Sequence, residues 1–148
     1  MDTAQLRVWR DFVETGDELR GLLASRLLSD SDLSTADYSV LLALSEADGK
    51  RMRSSELADH VGWERSRLSH HLGRMESRGL VGREKCLTDS RGSEIVLSAT
   101  GASLFRRASA PHLRAVQELF LDALDDDLLA KVDDVTRALR AHLDRDTA

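Results

Sequence analysis

Two glycines, Gly62 and Gly79, divide the middle of the chain into short segments whose folding is strongly constrained. The segment before Gly62 is amphipathic and long enough for about two helical turns. Between the glycines, Leu68, Leu72 and Met75 recur at the spacing of one helix face. Glycine just beyond the last apolar position commonly ends a helix, because it adopts the left-handed conformation easily. The pattern therefore predicts a helix-turn-helix whose turn lies at Gly62.

Beyond Gly79 the helical periodicity stops, and two β-favouring stretches follow. Residues 80–85 lead into the polar run 88–92, after which residues 94–97 resume with Glu, Ile, Val and Leu. This arrangement predicts a two-stranded hairpin with a polar tip. A hairpin directly after a helix-turn-helix is a winged helix, whose wing lies along the minor groove of DNA.

The wing has its own candidate residues. Arg91 is the predicted tip residue. Asp89 is expected to orient Arg91, or to tie the wing to the recognition helix through Arg74, because phosphate would repel a bare carboxylate. Cys86 also falls in the wing, and the sequence leaves it either a free buried thiol or an oxidisable one.

The second helix begins with side chains suited to DNA contact, which are Arg65, Ser66, Arg67, Ser69 and His70. Arginine pairs with phosphate or with guanine acceptors, and serine donates to phosphate or base. His71 is rotated by ~100° from its neighbour by helix geometry and is expected on the apolar face. We interpret this helix as the recognition helix.

Three other readings of this helix compete with DNA contact. A metal site needs ligands at i, i+3 or i, i+4, and the adjacent His70 and His71 point in different directions, so we expect no metal. Catalysis would need a group that orients the histidine, and the sequence offers none, so we expect no enzyme and no cofactor. The third reading, a basic face that only contacts solvent, is less favoured because the charges follow a turn and precede a basic hairpin.

The flanking segments predict helices as well. Residues 1–33 and 102–148 carry apolar stripes at helical spacing, and Ser34 with Asp37 resembles the start of a capped helix. We expect one domain over residues 1–148, mainly α with a small β-hairpin (α+β). A winged helix-turn-helix lobe at 34–101 would lie between N- and C-terminal dimerisation helices, since a monomer would leave their stripes exposed.

Charge is distributed unevenly along the chain. The net charge is −5, yet residues 50–107 hold 12 Lys and Arg against 7 Asp and Glu, whereas the rest holds 9 against 19. A basic middle between acidic ends favours nucleic acid as the partner of the middle alone. The sequence shows no apolar run of membrane-spanning length and no signal-peptide pattern, so we expect no membrane association and a cytoplasmic protein.

These segments together resemble the MarR family of winged helix-turn-helix bacterial transcription regulators. The resemblance rests on Ser55 to Gly62 as the first motif helix, Leu68 to Leu80 as the recognition helix, and Asp89 to Arg91 followed by Ile95 to Gly101 as the wing. It implies a homodimer that reads a near-palindromic operator in double-stranded DNA. We take the family's contact positions as candidate DNA-binding residues and add Arg74, which Asp89 is expected to contact. The set is Ser54, Arg65, Ser66, Arg67, Ser69, His70, Arg74 and Arg91.

The resemblance also implies a repressor that a small aromatic or anionic effector releases from DNA. Candidate effector-binding residues are Trp9, Phe12, Val13, Tyr38, Leu42 and His112. The chain departs from the pattern at Glu64, where an acidic residue stands at the start of the recognition helix. The alternative function is a winged-helix interaction module that binds an acidic protein partner, or DNA without sequence preference.

Overall fold

The computed structural model describes residues 1–85 and 92–146. Its elements in chain order are α1 (Thr3–Ser31), α2 (Thr35–Glu46), β1 (Arg51–Arg53), α3 (Ser54–Val61), α4 (Arg65–Ser77), β2 (Val81–Lys85), β3 (Ser93–Leu97), α5 (Ala99–Leu119) and α6 (Asp126–Asp146), with short 3-10 turns at Asp48–Lys50 and Leu121–Ala123. The expected α+β fold class is confirmed. No helix among the described residues is long and apolar enough to cross a membrane.

The sheet has one strand more than the predicted hairpin. Its strand order is β1-β3-β2, and both pairings are antiparallel, with Met52 opposite Ile95 and Arg83 opposite Ile95 on the other side. The sequence missed β1 because Arg51–Arg53 spans only three residues, too few for a strand pattern to stand out. Its strand geometry depends on pairing with β3, which is remote in sequence.

Side-chain caps fix two helix starts. Ser34 accepts from the backbone N–H of Asp37, and the Asp37 carboxylate accepts from the N–H of Ser34, each at 3.0 Å. This capping box confirms the predicted start of α2. At α5, Oγ of Ser98 accepts from the N–H of Gly101 at 2.9 Å and lies 2.8 Å from the carbonyl oxygen of Leu80. Ser98 therefore joins the start of α5 to the end of the helix-turn-helix.

The chain forms two compact units, which we treat separately. Unit 2, residues 24–112, contains the sheet, α2, α3 and α4 and has a continuous hydrophobic core. Its largest fully buried side chains are Leu33, Val40, Leu41, Leu44, Leu57, Leu68, Leu72, Met75 and Ile95. Unit 1, residues 1–23 and 113–148, contains the first turns of α1, the end of α5 and all of α6. The boundaries of both units fall inside α1 and α5.

Candidate nucleic-acid interface

The turn between α3 and α4 directs one face of α4 outward. Gly62 has φ +72, the left-handed conformation that glycine adopts most easily, and the N–H of Trp63 donates to the carbonyl of Ala58 at 3.0 Å. Glu64 precedes α4 without capping it through its side chain, as expected from its residue type. The buried residues of α4 are Leu68, His71, Leu72 and Met75. The exposed ones include the predicted contacts Arg65, Ser66, Arg67, Ser69 and His70.

Arg67 is held by an aromatic side chain. Its guanidinium carbon lies 4.5 Å from the ring centroid of Trp63, a cation–π contact. The Trp63 ring in turn meets the His71 ring edge to face, with centroids 5.6 Å apart. The exposed cation is thus connected to the interior of unit 2 by two rings. Sequence reasoning missed Trp63, although a tryptophan beside a helix start that carries arginines is a usable signal.

His71 belongs to a buried polar cluster. Its Nε2 lies 3.0 Å from Oδ1 of Asp37, which is 3% exposed, and its Nδ1 lies 3.2 Å from an Arg74 nitrogen. Arg78 donates to Oδ2 of Asp37 at 2.7 Å and to the carbonyl of Asp32 at 3.0 Å. The cluster therefore ties α4 to the start of α2. The expectation that His71 lies on the buried face is confirmed.

The protonation states in this cluster follow from its contacts. Burial lowers the pKa of His71 below its ordinary value, although the Asp37 carboxylate acts in the opposite direction. Because arginine only donates, Nδ1 accepts from Arg74, and the ring proton of neutral His71 lies on Nε2, facing Asp37. Nε2 has no aligned hydrogen bond within the described residues, so this contact is chiefly electrostatic.

Asp37 is ionised in this setting. Burial by itself raises the pKa of Asp37, but the hydrogen bonds from Arg78 and Ser34 and the charge of Arg78 outweigh it, and the pKa lies below its ordinary value. Asp37 is buried although Arg78 is exposed, so removing Arg78 would leave a buried carboxylate without its cation and destabilise unit 2. The sequence identified Asp37 only as a helix-capping residue. Its ion pair with Arg78 joins residues 41 positions apart, which no local pattern reveals.

The base of the wing is attached to the recognition helix. Arg83 on β2 donates to the carbonyl of Ser69 at 2.9 Å. Arg51 on β1 instead pairs with Glu84 at 2.8 Å and with Glu94 at 3.3 Å, so its charge is neutralised within the sheet. The predicted wing residues Cys86, Asp89 and Arg91 lie outside the described residues.

The remaining predicted DNA contacts lie beside a depression. Ser54 at the start of α3, Arg65 and Ser69 line a cavity of about 430 Å³, together with Arg53, Ser55, Leu68, Leu72, Arg83 and Gly92. Arg74 is exposed and engaged with His71. The structure thus brings predicted residues from α3 and α4 to one surface of unit 2, and it adds Arg53 and Arg83, which the sequence analysis did not select.

The effector candidates fall into two groups, one in each unit. In unit 2, the Tyr38 ring lies 4.5 Å from His112 and 5.3 Å from Phe105, while Leu42 is exposed on α2. Nδ1 of His112 is buried without a hydrogen-bond partner among the described residues, and burial lowers the pKa of His112. In unit 1, Trp9 and Phe12 line an apolar groove, and Val13 is partly buried. A shared effector cleft stays a prediction.

Comparison with known proteins identifies the family. A family model described as MarR family matches residues 31–92. AbsC, a MarR family transcriptional regulator from Streptomyces coelicolor, is 34% identical to this chain, covering 97% of it and 96% of AbsC, with a TM-score of 0.90. The chain belongs to the MarR family. Family membership confirms the resemblance found in the sequence and makes the chain a DNA-binding transcriptional regulator rather than a member of an enzyme family.

Two further MarR-family structures were solved with DNA. Sco3205 from Streptomyces coelicolor, in complex with DNA, is 31% identical, with a TM-score of 0.91 and coverage of 97% of this chain and 90% of that chain. A mutant of the Escherichia coli MarR protein, in complex with operator DNA, is 22% identical, with a TM-score of 0.82 and coverage of 94% and 99%. The second likeness concerns the fold alone. None of the curated proteins compared with the sequence matches it.

Proposed function

We propose that this MarR-family protein is a sequence-specific repressor that binds a near-palindromic operator as a homodimer. The observation that carries the proposal is the exposed face of α4, where arginine, serine and histidine side chains stand clear of the core of unit 2. These are the side chains that read base edges and phosphates from a helix in the major groove. The DNA complex of the 31% identical Sco3205 supports the same partner.

Dimerisation is supported by the surface of unit 1. Trp9 is 61% exposed and Phe12 58% exposed, and both line an apolar groove of about 660 Å³ with Val8, Val135 and Leu139. A continuous apolar surface of this kind marks a protein interaction site. A second copy of the chain would cover it symmetrically, and two recognition helices about one turn of DNA apart, roughly 34 Å, would meet successive major grooves.

A selection from random DNA duplexes at moderate salt tests specificity. The purified protein should enrich a near-palindrome whose half-sites are about 10 base pairs apart. His70→Ala should then weaken binding more on the enriched site than on random duplex, because a base contact is lost only where the base is present. His60→Ala, an exposed histidine on α3, is the control. An unenriched pool would contradict the proposal and favour the alternative, an interaction module that binds acidic partners or DNA without sequence preference.

Repression is tested separately from binding. In a purified transcription assay, a promoter that carries the selected site should yield less transcript when the protein is added. A promoter with a scrambled site should be unaffected. An increase in transcript from the intact promoter would make the protein an activator and contradict this part of the proposal.

The effector part of the proposal relies on the aromatic cluster of unit 2. Tyr38, Phe105 and His112 provide ring surface, and the buried Nδ1 of His112, which lacks a hydrogen-bond partner among the described residues, would bond a polar group of a ligand that entered the cluster. A ligand that prefers the DNA-free arrangement shifts the population away from the operator-bound one. Benzoate, as a small aromatic anion, should lower operator affinity in the wild type and have less effect in His112→Leu. Equal responses of the two proteins would remove this cluster from the proposal.

A further inference from the structure

A depression beside the recognition helix collects arginines from three elements of unit 2. Arg53 comes from the end of β1, Arg65 from the start of α4 and Arg83 from β2. Ser54, Ser55 and Ser69 add hydroxyl groups to the lining, and Leu68 and Leu72 lie behind it as buried core side chains. No Asp or Glu lines it among the described residues. Such a pocket suits an anion.

The three guanidinium groups differ in how they are held. Arg83 is fixed through its bond to the carbonyl of Ser69 at 2.9 Å. The Arg53 guanidinium lies against Gly92, where an added Cβ would come within 3.0 Å of it. Arg65 and Arg83 form no ion pair with any carboxylate in residues 1–85 and 92–146. Cations that are positioned but not neutralised are suited to a charged ligand from outside the chain.

We propose that this pocket holds one backbone phosphate of the bound DNA. The inference rests on the proposed function and deepens it by assigning a phosphate contact to Arg53, Ser55 and Arg83. Ser54, Arg65 and Ser69 belong both to this pocket and to the predicted contact set. This overlap with the predicted contact set favours a backbone phosphate of DNA over free inorganic phosphate as the ligand.

The proposed contact has a consequence for register. Phosphate contacts carry no base identity but set how a protein is seated on the duplex. One phosphate held by β1, β2 and α4 together would fix the wing base and the recognition helix at the same position on the DNA. The planar, forked donors of arginine make such a contact directional.

Neutral backbone linkages test the assignment directly. A single methylphosphonate is moved along the operator, and the affinity of the wild type is measured at each position. At one linkage in each half-site, we expect a loss of about tenfold, as for a charge-assisted contact. In Arg65→Gln and in Arg53→Gln, the same linkage should cost less than about fivefold, because one of the cations that hold the phosphate is already lost.

Arg51→Gln is the matched control. Arg51 lies two residues before Arg53 on the same strand, but its charge is paired with Glu84 and Glu94. This variant should keep the full response to the methylphosphonate. Loss of folding does not explain a weakened Arg65→Gln, because removing a cation from the start of a helix favours the helix. Circular dichroism melting verifies that Arg53→Gln is folded.

The possible results distinguish a failure of the phosphate pocket from a failure of the proposed function. Equal responses of wild type, Arg53→Gln and Arg65→Gln at every linkage, with operator binding intact, overturn the pocket and leave the proposed function standing. If the wild type enriches no operator, the proposed function fails, and the pocket is judged on random duplex. On random duplex, the slope of the log binding constant against the log salt concentration should be smaller in magnitude by about one in Arg53→Gln and Arg65→Gln, but unchanged in Arg51→Gln. A slope that is unchanged in all three variants overturns the pocket.

Free inorganic phosphate is the other source of the same chemistry. Millimolar phosphate, added without DNA, should raise the melting temperatures of wild type and Arg65→Gln equally. If phosphate stabilises the wild type more, and no methylphosphonate position is coupled to the pocket, the site binds a free anion and the DNA assignment is overturned.

Discussion

The two units of this chain differ in how far their apolar side chains are buried. Unit 2 buries leucines from α2, α3 and α4 around Ile95 of the sheet, and many of these side chains are inaccessible to solvent. In unit 1, Ala115 is the sole buried hydrophobic residue within the described part of the chain. Many of its large apolar residues remain exposed, including Val8, Trp9, Phe12, Leu113, Leu128, Leu129, Val132, Val135, Leu139 and Leu143.

The two units therefore differ in the source of their stability, which is the folded single chain for unit 2 and the contact with another surface for unit 1. A core such as that of unit 2 stabilises each chain by itself, at about 25 cal/mol for each Å² of apolar surface buried. The exposed apolar side chains of unit 1 contribute that free energy only when another protein surface covers them. We therefore expect mutations in unit 2 to change stability equally at all protein concentrations, and mutations in unit 1 to act through the monomer-dimer equilibrium.

One of the two largest effects is expected at Gly101 in unit 2. A Cβ at this position would lie 2.1 Å from the carbonyl oxygen of Leu80, so Gly101→Ala forces the start of α5 away from the sheet. We expect a loss of about 3 kcal/mol in the free energy of unfolding, measured by urea denaturation. Gly73→Ala in α4 is the control, because no atom lies within 4 Å of its added Cβ and alanine favours a helix. A neutral Gly101→Ala would contradict the close approach.

Two leucine-to-alanine substitutions, one in each unit, test this difference in the source of stability. Leu41→Ala in the core of unit 2 should cost about 2 to 5 kcal/mol at every protein concentration. Leu139→Ala in unit 1, where the side chain is 45% exposed, should cost about 1 kcal/mol at concentrations where the wild type is dimeric, with a loss that vanishes as the protein is diluted to the monomer. Melting temperatures over a concentration series, with sedimentation to follow the dimer, measure both. A concentration-independent loss for Leu139→Ala would break the distinction between the units.

The pH dependence of stability tests the buried cluster of unit 2. Because burial lowers the pKa of His71 in the folded state, the unfolded chain binds the proton first as the pH falls below 6.5. The stability associated with neutral His71 is therefore present above pH 6.5 and is lost as the pH falls towards the folded-state pKa. His112 acts in the same direction, since burial lowers its pKa too.

His71→Gln should make the unfolding free energy less dependent on pH just below 6.5, as measured by urea denaturation at a series of pH values. His70→Gln, exposed on the opposite face of α4, is the control. Asp37 acts in a separate window, because its lowered pKa gives stability that is present above pH 3.8 and lost below it. A wild-type profile that is flat between pH 5 and 6.5 would contradict the assignment of neutral His71.

The smallest effect concerns the outer surface of unit 2. Trp63→Leu removes the ring beneath the Arg67 guanidinium, and an exposed cation–π contact contributes about 0.5 to 1 kcal/mol, so operator affinity should fall about two- to fivefold. In an Arg67→Gln background, Trp63→Leu should have little further effect on the dissociation constant. Equal losses in both backgrounds would show that Trp63 does not act through Arg67.

Much of the fold could be predicted because its signals are local. Ser34 and Asp37 marked the start of α2, Gly62 marked the turn before the recognition helix, and the spacing of Leu68, Leu72 and Met75 gave its buried face. Each of these depends on interactions within a few residues of one another. The exposed contact face of α4 followed, since the residues left over from the apolar stripe must point outward.

The sequence by itself determined the helices, the helix-turn-helix with its hairpin strands β2 and β3, and the family to which the chain belongs, but it did not reveal β1. Only the tertiary structure decided that Arg78 neutralises Asp37, that Arg83 reaches Ser69, and that Arg51 and Arg53 on one short strand have different surroundings. The physical reason is range. Capping and periodicity act over one or two helical turns, whereas ion pairs and pockets depend on which distant segments packing brings together.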